Sequence, residues 1–340
     1  MTPMTTSTTM PTTTTETAHA IPARFDTVFQ HEYPVEHPEL RRLYENAKRD
    51  QWNVSRDIDW KTPVDLERGV IADELIDIYG TPYWHRLSAK DQAELNRRFT
   101  AWRLSLLLHG EHGAMLVCSQ LVETVQGTDA KFFQATQVVD EARHTEVLNR
   151  YMAEKLGGLY YPLAGNVREL FDTLLGDSRW TVKTIGLQLV AETFAVALFK
   201  MLGETAKDPL FKEICRYILQ DESRHMGFGM LSLPGVISKL SEKERIELED
   251  FTHWALVRTL TGLFPSEVYR DMGFSGAEIQ SIQTLRRGRA AGNDNSVFRT
   301  TFKRDLHTTL LQNLARVGLL TDRIAPKLES LGISVPAGKS

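Results

Sequence analysis

Between residues 91 and 235, apolar positions recur every three or four residues over four long stretches, and the breaks between them fall at turn formers. The pattern predicts a helix over 91–126, a turn at Gly127-Thr128-Asp129, and a second helix to about Leu156, where Gly157-Gly158 stops it. A link containing Pro162 and a short helix lead to a third long helix, capped by Asp177 or Ser178 and running to about Ala206. Asp208-Pro209 opens a fourth, which ends before Pro234. Further helices are expected over 241–272, 276–289 and 297–331. No series of alternating strands is visible, so the chain reads as all-α: a four-helix bundle with additional N- and C-terminal helices.

The same pattern divides the chain. Residues 1–20 form a Thr-rich tail expected to be disordered, with ten Thr in the first eighteen positions and neither Lys nor Arg there. Residues 21–90, rich in Pro, Trp and charge, are expected to wrap a core as short helices and extended pieces. The bundle follows at 91–235, and 236–340 is a helical extension packed on it. The longest apolar stretches are interrupted by polar residues before reaching a membrane-spanning length.

Two of those apolar runs carry a charge. Glu111 lies within 104–116 and Glu192 within 185–198, and a buried carboxylate without a partner is costly. Thirty residues after each Glu comes the second Glu of a shared string, Asp140-Glu141-Ala142-Arg143-His144 and then Asp221-Glu222-Ser223-Arg224-His225. Corresponding members of the two copies are 81 residues apart. Glu111 and Glu141 lie about equally far from the turn between them, so an antiparallel hairpin sets them at one height. Glu192 and Glu222 do the same across the Lys207-Asp208 turn. Within each Glu-x-x-His the side chains share a helix face. Glu111, Glu141, His144, Glu192, Glu222 and His225 are therefore the predicted metal ligands, the set of a carboxylate-bridged di-iron or di-manganese centre. Four carboxylates bring two divalent cations close to neutrality, and mixed oxygen and nitrogen donors suit redox-active iron, with Mn/Fe as the other option.

Asp140 and Asp221 stand four residues before the two His. A ligating His usually donates its second ring N–H to a carboxylate, and the spacing allows each Asp to serve either His. Arg143 and Arg224, three residues after the Asp residues, can hold those carboxylates and offset their charge. His109, His112 and Glu123 fall off the ligand face and read as structural or surface groups. Arg286-Arg287-Gly288-Arg289 reads as a solvated helix end, with docking of an acidic partner the weaker alternative.

Composition narrows the function. A net charge of -4 and a pI near 6.2 give no basic footprint for nucleic acid or an anionic membrane. Two cysteines, Cys118 and Cys215, cannot hold an iron-sulfur cluster. Electrons must come from another protein, and a reducing cytoplasm is the expected setting.

At Gln137 to Thr145, Leu187 to Glu192 and Gln220 to Met226, the sequence resembles the hydroxylase α subunit of bacterial multicomponent methane and toluene monooxygenases. The likeness covers about 111–229. It implies two irons, dioxygen as co-substrate, electrons from a ferredoxin or reductase, and insertion of oxygen into a small organic molecule. The chain departs from that pattern: Val196 stands where those subunits carry a proton-delivering Thr, leaving Thr193 or water for that task. It is also much shorter. Other di-iron families compete. Leu148 occupies the radical-Tyr position of the ribonucleotide reductase small subunit, and Tyr151 lies two turns on. Acyl carrier protein desaturases use longer intervals, and di-iron N-oxygenases add a His where this chain has Ile218.

The expected function is thus a non-haem di-iron oxygenase, a hydroxylase or monooxygenase. Alternatives are a desaturase-type oxidase, an N-oxygenase, or a non-catalytic iron binder or ferroxidase. Residues one turn from the ligands, Leu108, Met115, Gln137, Leu148, Gln188, Val196 and Ile218, are the expected substrate-pocket lining. A homodimer is the expected assembly.

Overall fold

The computed structural model describes residues 18–291 and 302–336, so most of the Thr-rich tail and the start of the helix expected at 297 lie outside the described residues. Helix α1 (Pro38–Arg49), a 3-10 turn at Asp73–Leu75 and α2 (Pro82–His85) make up the helical pieces of the wrapping segment. The long helices follow. Ser88 starts α3 (Ala89–Thr124) by accepting from the Asp91 amide at 3.1 Å. Gly127, at φ +83°, makes the turn into α4 (Thr128–Lys155), and Gly157 and Gly158, both at positive φ, end that helix. Then come α5 (Gly165–Gly176) and α6 (Trp180–Thr184), which runs on through seven π-helical residues, Ile185–Ala191, into α7 (Glu192–Thr205). Asp208 caps α8 (Pro209–Ser232), its carboxylate accepting from the Leu210 and Phe211 amides at 3.2 and 3.1 Å.

Among the described residues there is no strand; one isolated bridge joins Ile71 to Ala206. The chain is all-α, as its periodicity predicts.

The continuous helix Trp180–Thr205 is, by length and composition, long and apolar enough to cross a membrane, contrary to the sequence expectation. Its most apolar stretch is 72% buried within the protein, and it packs against α3, α5, α8 and α10 (Glu242–Leu260). Its apolarity is that of a helix surrounded by other helices.

Two expected C-terminal helices are broken. The first, 241–272, splits into α10 and α11 (Ser266–Asp271), because Gly262 takes φ +76° and Pro265 follows. After α9 (Pro234–Ile237) and these two comes α12 (Gly276–Ala291). The second, 297–331, divides into α13 (Arg304–Val317) and α14 (Ala325–Ser330) at Gly318, left-handed at φ +80°, with the Leu319 amide bonded back to the Leu314 carbonyl at 2.9 Å.

The apolar core falls into two clusters. One gathers Leu104, Leu148, Leu198 and Ile218; the other gathers Val117, Phe133, Leu189 and Phe228. In each of the four long helices buried charged residues lie between these two sets, so a polar layer crosses the bundle at mid-height.

Candidate metal centre

The polar layer consists of the six predicted ligands. Glu111 comes from α3, Glu141 and His144 from α4, Glu192 from the first residue of α7, and Glu222 and His225 from α8. Glu111 and Glu192 are 4% exposed and the other four are fully buried. Their donor atoms form two overlapping groups, Glu111, Glu141, His144 and Glu222 in one and Glu141, Glu192 and His225 in the other, all within 4.8 Å of one another inside each group.

Individual atoms show how the groups divide. Nδ1 of His144 lies 3.2 Å from Glu111 Oε2, 3.5 Å from Glu141 Oε2 and 3.1 Å from Glu222 Oε1. Nδ1 of His225 lies 3.2 Å from Glu141 Oε1, 3.1 Å from Glu222 Oε2 and 3.8 Å from Glu192 Oε1. Glu141 and Glu222 thus turn one oxygen to each His, the posture of bridging carboxylates. Glu111 and Glu192 serve one side each.

The donor set fits two cations on its own evidence. Glu141 Oε2 and Glu222 Oε1 are buried without any hydrogen-bond partner, a costly condition unless something positive sits there. Burial and the charge of Glu222 push the Glu111 and Glu192 carboxyls well above their usual range. Burial works against a proton on His144, yet the surrounding carboxylates raise its pKa well above normal. His225 rises likewise, to about 10, through the charges of Glu141 and Glu222. Glu111, Glu192, His144 and His225 all hold protons more tightly than usual, the response to a shortage of positive charge that two divalent ions would remove.

Behind the ligands the two Asp residues cross over. His144 Nε2 lies 3.1 Å from Asp221 Oδ2, and His225 Nε2 lies 3.3 Å from Asp140 Oδ2. Arg143 Nη2 donates to Asp140 Oδ1 at 2.5 Å and to Asp221 Oδ2 at 3.1 Å. Arg224 donates to Asp221 and stands 3.6 Å from Asp140. The four side chains form a closed ring of alternating charge joining α4 to α8.

Two further residues belong to this ring and are invisible in the sequence pattern. Trp52 donates its indole N–H to Asp221 Oδ2 at 2.7 Å and stacks on His144 with ring centroids 6.3 Å apart. Gln51 donates to Asp140 at 3.3 Å and accepts from Arg143. The only prior signal is that two buried Asp residues need more donors than two Arg residues supply. The wrapping segment therefore completes the site as well as covering the bundle.

Gln137 and Gln188 line up on the opposite side of the ligands. Gln137 Nε2 donates to Glu141 at 3.0 Å and to Glu192 at 3.1 Å, while Gln188 Nε2 donates to Gln137 Oε1 at 3.2 Å. Gln137 orients two carboxylates and Gln188 holds Gln137, and neither lines the apolar cavity beside the ligands.

That cavity, of about 60 Å³, lies between α3, α5, the π-helical segment and α10 and reaches both Glu111 and Glu192. It is walled by Leu107, Gly110, Ala114, Phe171, Leu187, Ala191 and Ala195, among others, and by none of the seven residues expected to line it. Residues three and four from a ligand fall on opposite sides of it, and the cavity lies on the side of Leu107 and Ala114, not Leu108 and Met115. Leu148 and Ile218 are fully buried in the core cluster. Val196 faces a separate groove with Lys200 and Asp305. Thr193 is likewise turned away: its hydroxyl donates to the Leu189 carbonyl at 2.8 Å and accepts from Asn313 of α13 at 3.2 Å. None of its hydrogen bonds goes to a predicted ligand.

The other sequence readings resolve simply. His109 sits 3.1 Å from the Tyr161 carbonyl, His112 is exposed, and Glu123 accepts from the Thr27 hydroxyl at 2.7 Å. Arg286 and Arg289 donate to the Leu263 and Asp77 carbonyls. Two of the three arginines in that run are thus tied down inside the chain. Tyr151 donates to Asp208 at 2.5 Å, at the start of α8.

This fold and this ligand layer define a ferritin-like di-iron carboxylate enzyme of the oxygenase and oxidase class. The chain belongs to the family described as P-aminobenzoate N-oxygenase AurF, whose pattern matches residues 34–302. The family match thus carries the broader di-iron class and not the narrower likeness to methane and toluene hydroxylases. No curated protein sequence matches. Two structures of R2-like ligand-binding oxidase mutants, one reconstituted with Mn/Fe anaerobically and one aerobically, each superpose with a TM-score of 0.50 at 17% identity, over 86% of this chain and 99% of theirs. At that identity they support the fold alone.

Proposed function

We propose that the protein is a non-haem di-iron monooxygenase that oxidises a small organic substrate held in the cavity against Glu111 and Glu192. The observation that carries this reading is the position of that apolar cavity, which meets the ligand layer at the two carboxylates that serve one side each. A storage or ferroxidase centre has no use for an apolar chamber there.

Two irons at this site, once reduced by an external ferredoxin or reductase, supply dioxygen activation and oxygen transfer. The chain's own residues do the rest. Asp221 and Asp140 hold the Nε2–H of His144 and His225, which leaves each Nδ1 aimed at the ligand layer. Gln137 fixes the angle of Glu192 against Glu141. The leucine and phenylalanine walls exclude water from the substrate's side of the cluster.

N-oxygenation is the second reading, favoured by the family match. Single-turnover reaction of the reduced protein with oxygen-18 gas, against hydrocarbons and arylamines in parallel, tests both. Label in a C–OH product supports the hydroxylase, and label in an N–O product supports the N-oxygenase. Iron oxidation with no labelled product from either panel would overturn the oxygenase reading. The cytoplasm remains the proposed location.

A further inference from the structure

At about 60 Å³ the cavity beside Glu111 and Glu192 is closed around less space than an aromatic ring needs. An apolar cavity that takes up benzene measures about 150 Å³. A substrate of that size enters only if one wall moves. The α3 wall carries Glu111, and the wall formed by the π-helical segment and α7 carries Glu192, so neither shifts without disturbing the ligand layer. The α10 wall is clamped from behind: its buried Glu249 accepts from the Thr321 hydroxyl and from Arg323, at 3.0 Å each. The fourth wall is α5, which contributes Val167, Leu170 and Phe171 and carries none of the six ligands.

Helix α5 can separate as a unit. It is joined to α4 through Gly157 and Gly158, both at positive φ, and an irregular stretch to Ala164, and it ends at Gly176. Phe171 rests against Gly113 and Leu174 against Gly186, so closely that a Cβ there would come within 2.6 Å and 2.3 Å of them. At those two points the side chains meet bare backbone, and lifting α5 disengages no side chain beneath them.

The two ends of α5 are held differently. At the C-terminal end the Leu174 carbonyl accepts from Lys183 Nζ at 2.6 Å, and the same fully buried side chain donates to Gln120 of α3 at 2.6 Å. At the N-terminal end the Asn166 amide donates to the Arg258 and Thr261 carbonyls at 2.5 and 2.6 Å, and Glu169, 60% exposed, accepts from Arg258 at 2.6 Å. Opening the buried end strips a lysine of its partners, whereas at the exposed end water replaces what is lost.

We propose that α5 is the lid of this cavity: its N-terminal end swings away from α10 to admit a substrate larger than the closed space, turning about the end that Lys183 holds. The need for that larger space rests on the oxygenase reading; the motion does not.

Thiol labelling tests the motion. Thr259 is buried and lines the cavity from α10, and Thr259→Cys places a nearly isosteric thiol there. The diferric protein is treated with methyl methanethiosulfonate and the label is located by mass spectrometry, with the buried Cys118 and Cys215 as internal controls, since global unfolding would expose all three thiols together. The introduced thiol is expected to react faster than either control. Asn166→Ala combined with Glu169→Gln is expected to speed its reaction about tenfold or more beyond any change at Cys215, through the loss of two hydrogen bonds and an ion pair. In the same variant, hydrogen exchange should quicken at residues 168–171 and not at 174–177. An introduced thiol that reacts no faster than Cys215, or whose rate the two latch substitutions leave unchanged, would overturn the lid. Equal quickening along the whole of α5 would overturn the hinge at Lys183. Because labelling needs no turnover, a protein whose lid opens as expected but that never incorporates oxygen-18 overturns the oxygenase reading and leaves the lid standing.

Discussion

His144 on α4 turns its Nε2 atom to Asp221 on α8, 3.1 Å away, although Asp140 stands one turn back on its own helix. The exchange is reciprocal through His225 and Asp140. Each helix therefore tunes the metal ligand carried by the other, and the two sites should respond crosswise. Asp221→Asn is expected to weaken the ion held by His144 and Glu111 by about 10–100-fold, the usual effect of losing such a partner, and to spare the ion at His225. Asp140→Asn should do the reverse. Iron-57 Mössbauer spectra of partially loaded variants, which give each iron its own signal, read which site empties first.

The two bridging carboxylates should behave differently from the other two. Glu141 and Glu222 each face both His side chains, so Glu141→Ala or Glu222→Ala is expected to abolish stoichiometric loading of the pair. Glu111→Ala and Glu192→Ala each remove a ligand from one side and should leave one ion bound. Metal content after desalting measures the difference. Two irons retained by either bridging variant would contradict the ligand geometry.

The clustering of the six predicted ligands was legible because metal chemistry imposes spacing: a helix pitch fixes Glu-x-x-His, and a hairpin fixes the thirty-residue interval. The crossing of Asp140 and Asp221 was not, since i to i+4 proximity on one helix is equally compatible with the observed residues. Trp52 was hidden for a different reason. It arrives from a segment without periodicity, and only tertiary packing brings it to Asp221. The cavity was misplaced because a ligand's neighbours at three and four residues flank it on both sides, and sequence carries no sign of which flank is empty. The helix breaks at Gly262 and Gly318 were readable in principle, as single glycines within otherwise helical runs, but glycine is tolerated inside helices often enough to leave them ambiguous.

A site built for cations should strain the protein that lacks them. Four carboxylates share the buried layer with two imidazoles, and the Glu192 side chain is opposed by burial and by the charge of Glu222. In metal-free protein, Glu192→Gln is expected to raise stability by about 1–2 kcal/mol, the scale of relieving one like-charge contact at a functional site. The same substitution should shrink the stabilisation gained on adding ferrous iron, because a ligand is gone. Thermal melts with and without iron test both halves, and a Glu192→Gln protein less stable than wild type without metal would count against the charge argument.

Gly186 gives a test of the fold that is independent of the metal. Its Cα hydrogen faces Leu174 so closely that a methyl group would sit 2.3 Å from Cδ2 and 3.2 Å from the Phe251 ring. Both neighbours are buried or partly buried side chains of elements packed on the π-helical segment, so they must repack to make room. Gly186→Ala is expected to cost about 1–3 kcal/mol, the typical penalty of overpacking, despite the better helix propensity of alanine. Leu174→Ala alone should also destabilise, by about 2–5 kcal/mol, through the cavity it leaves. Combined, the two changes should cost less than their sum, because the new methyl group occupies part of the space the leucine vacates. Urea unfolding of the four proteins in the cycle measures that coupling, and strict additivity would mean that Gly186 is not where Leu174 docks.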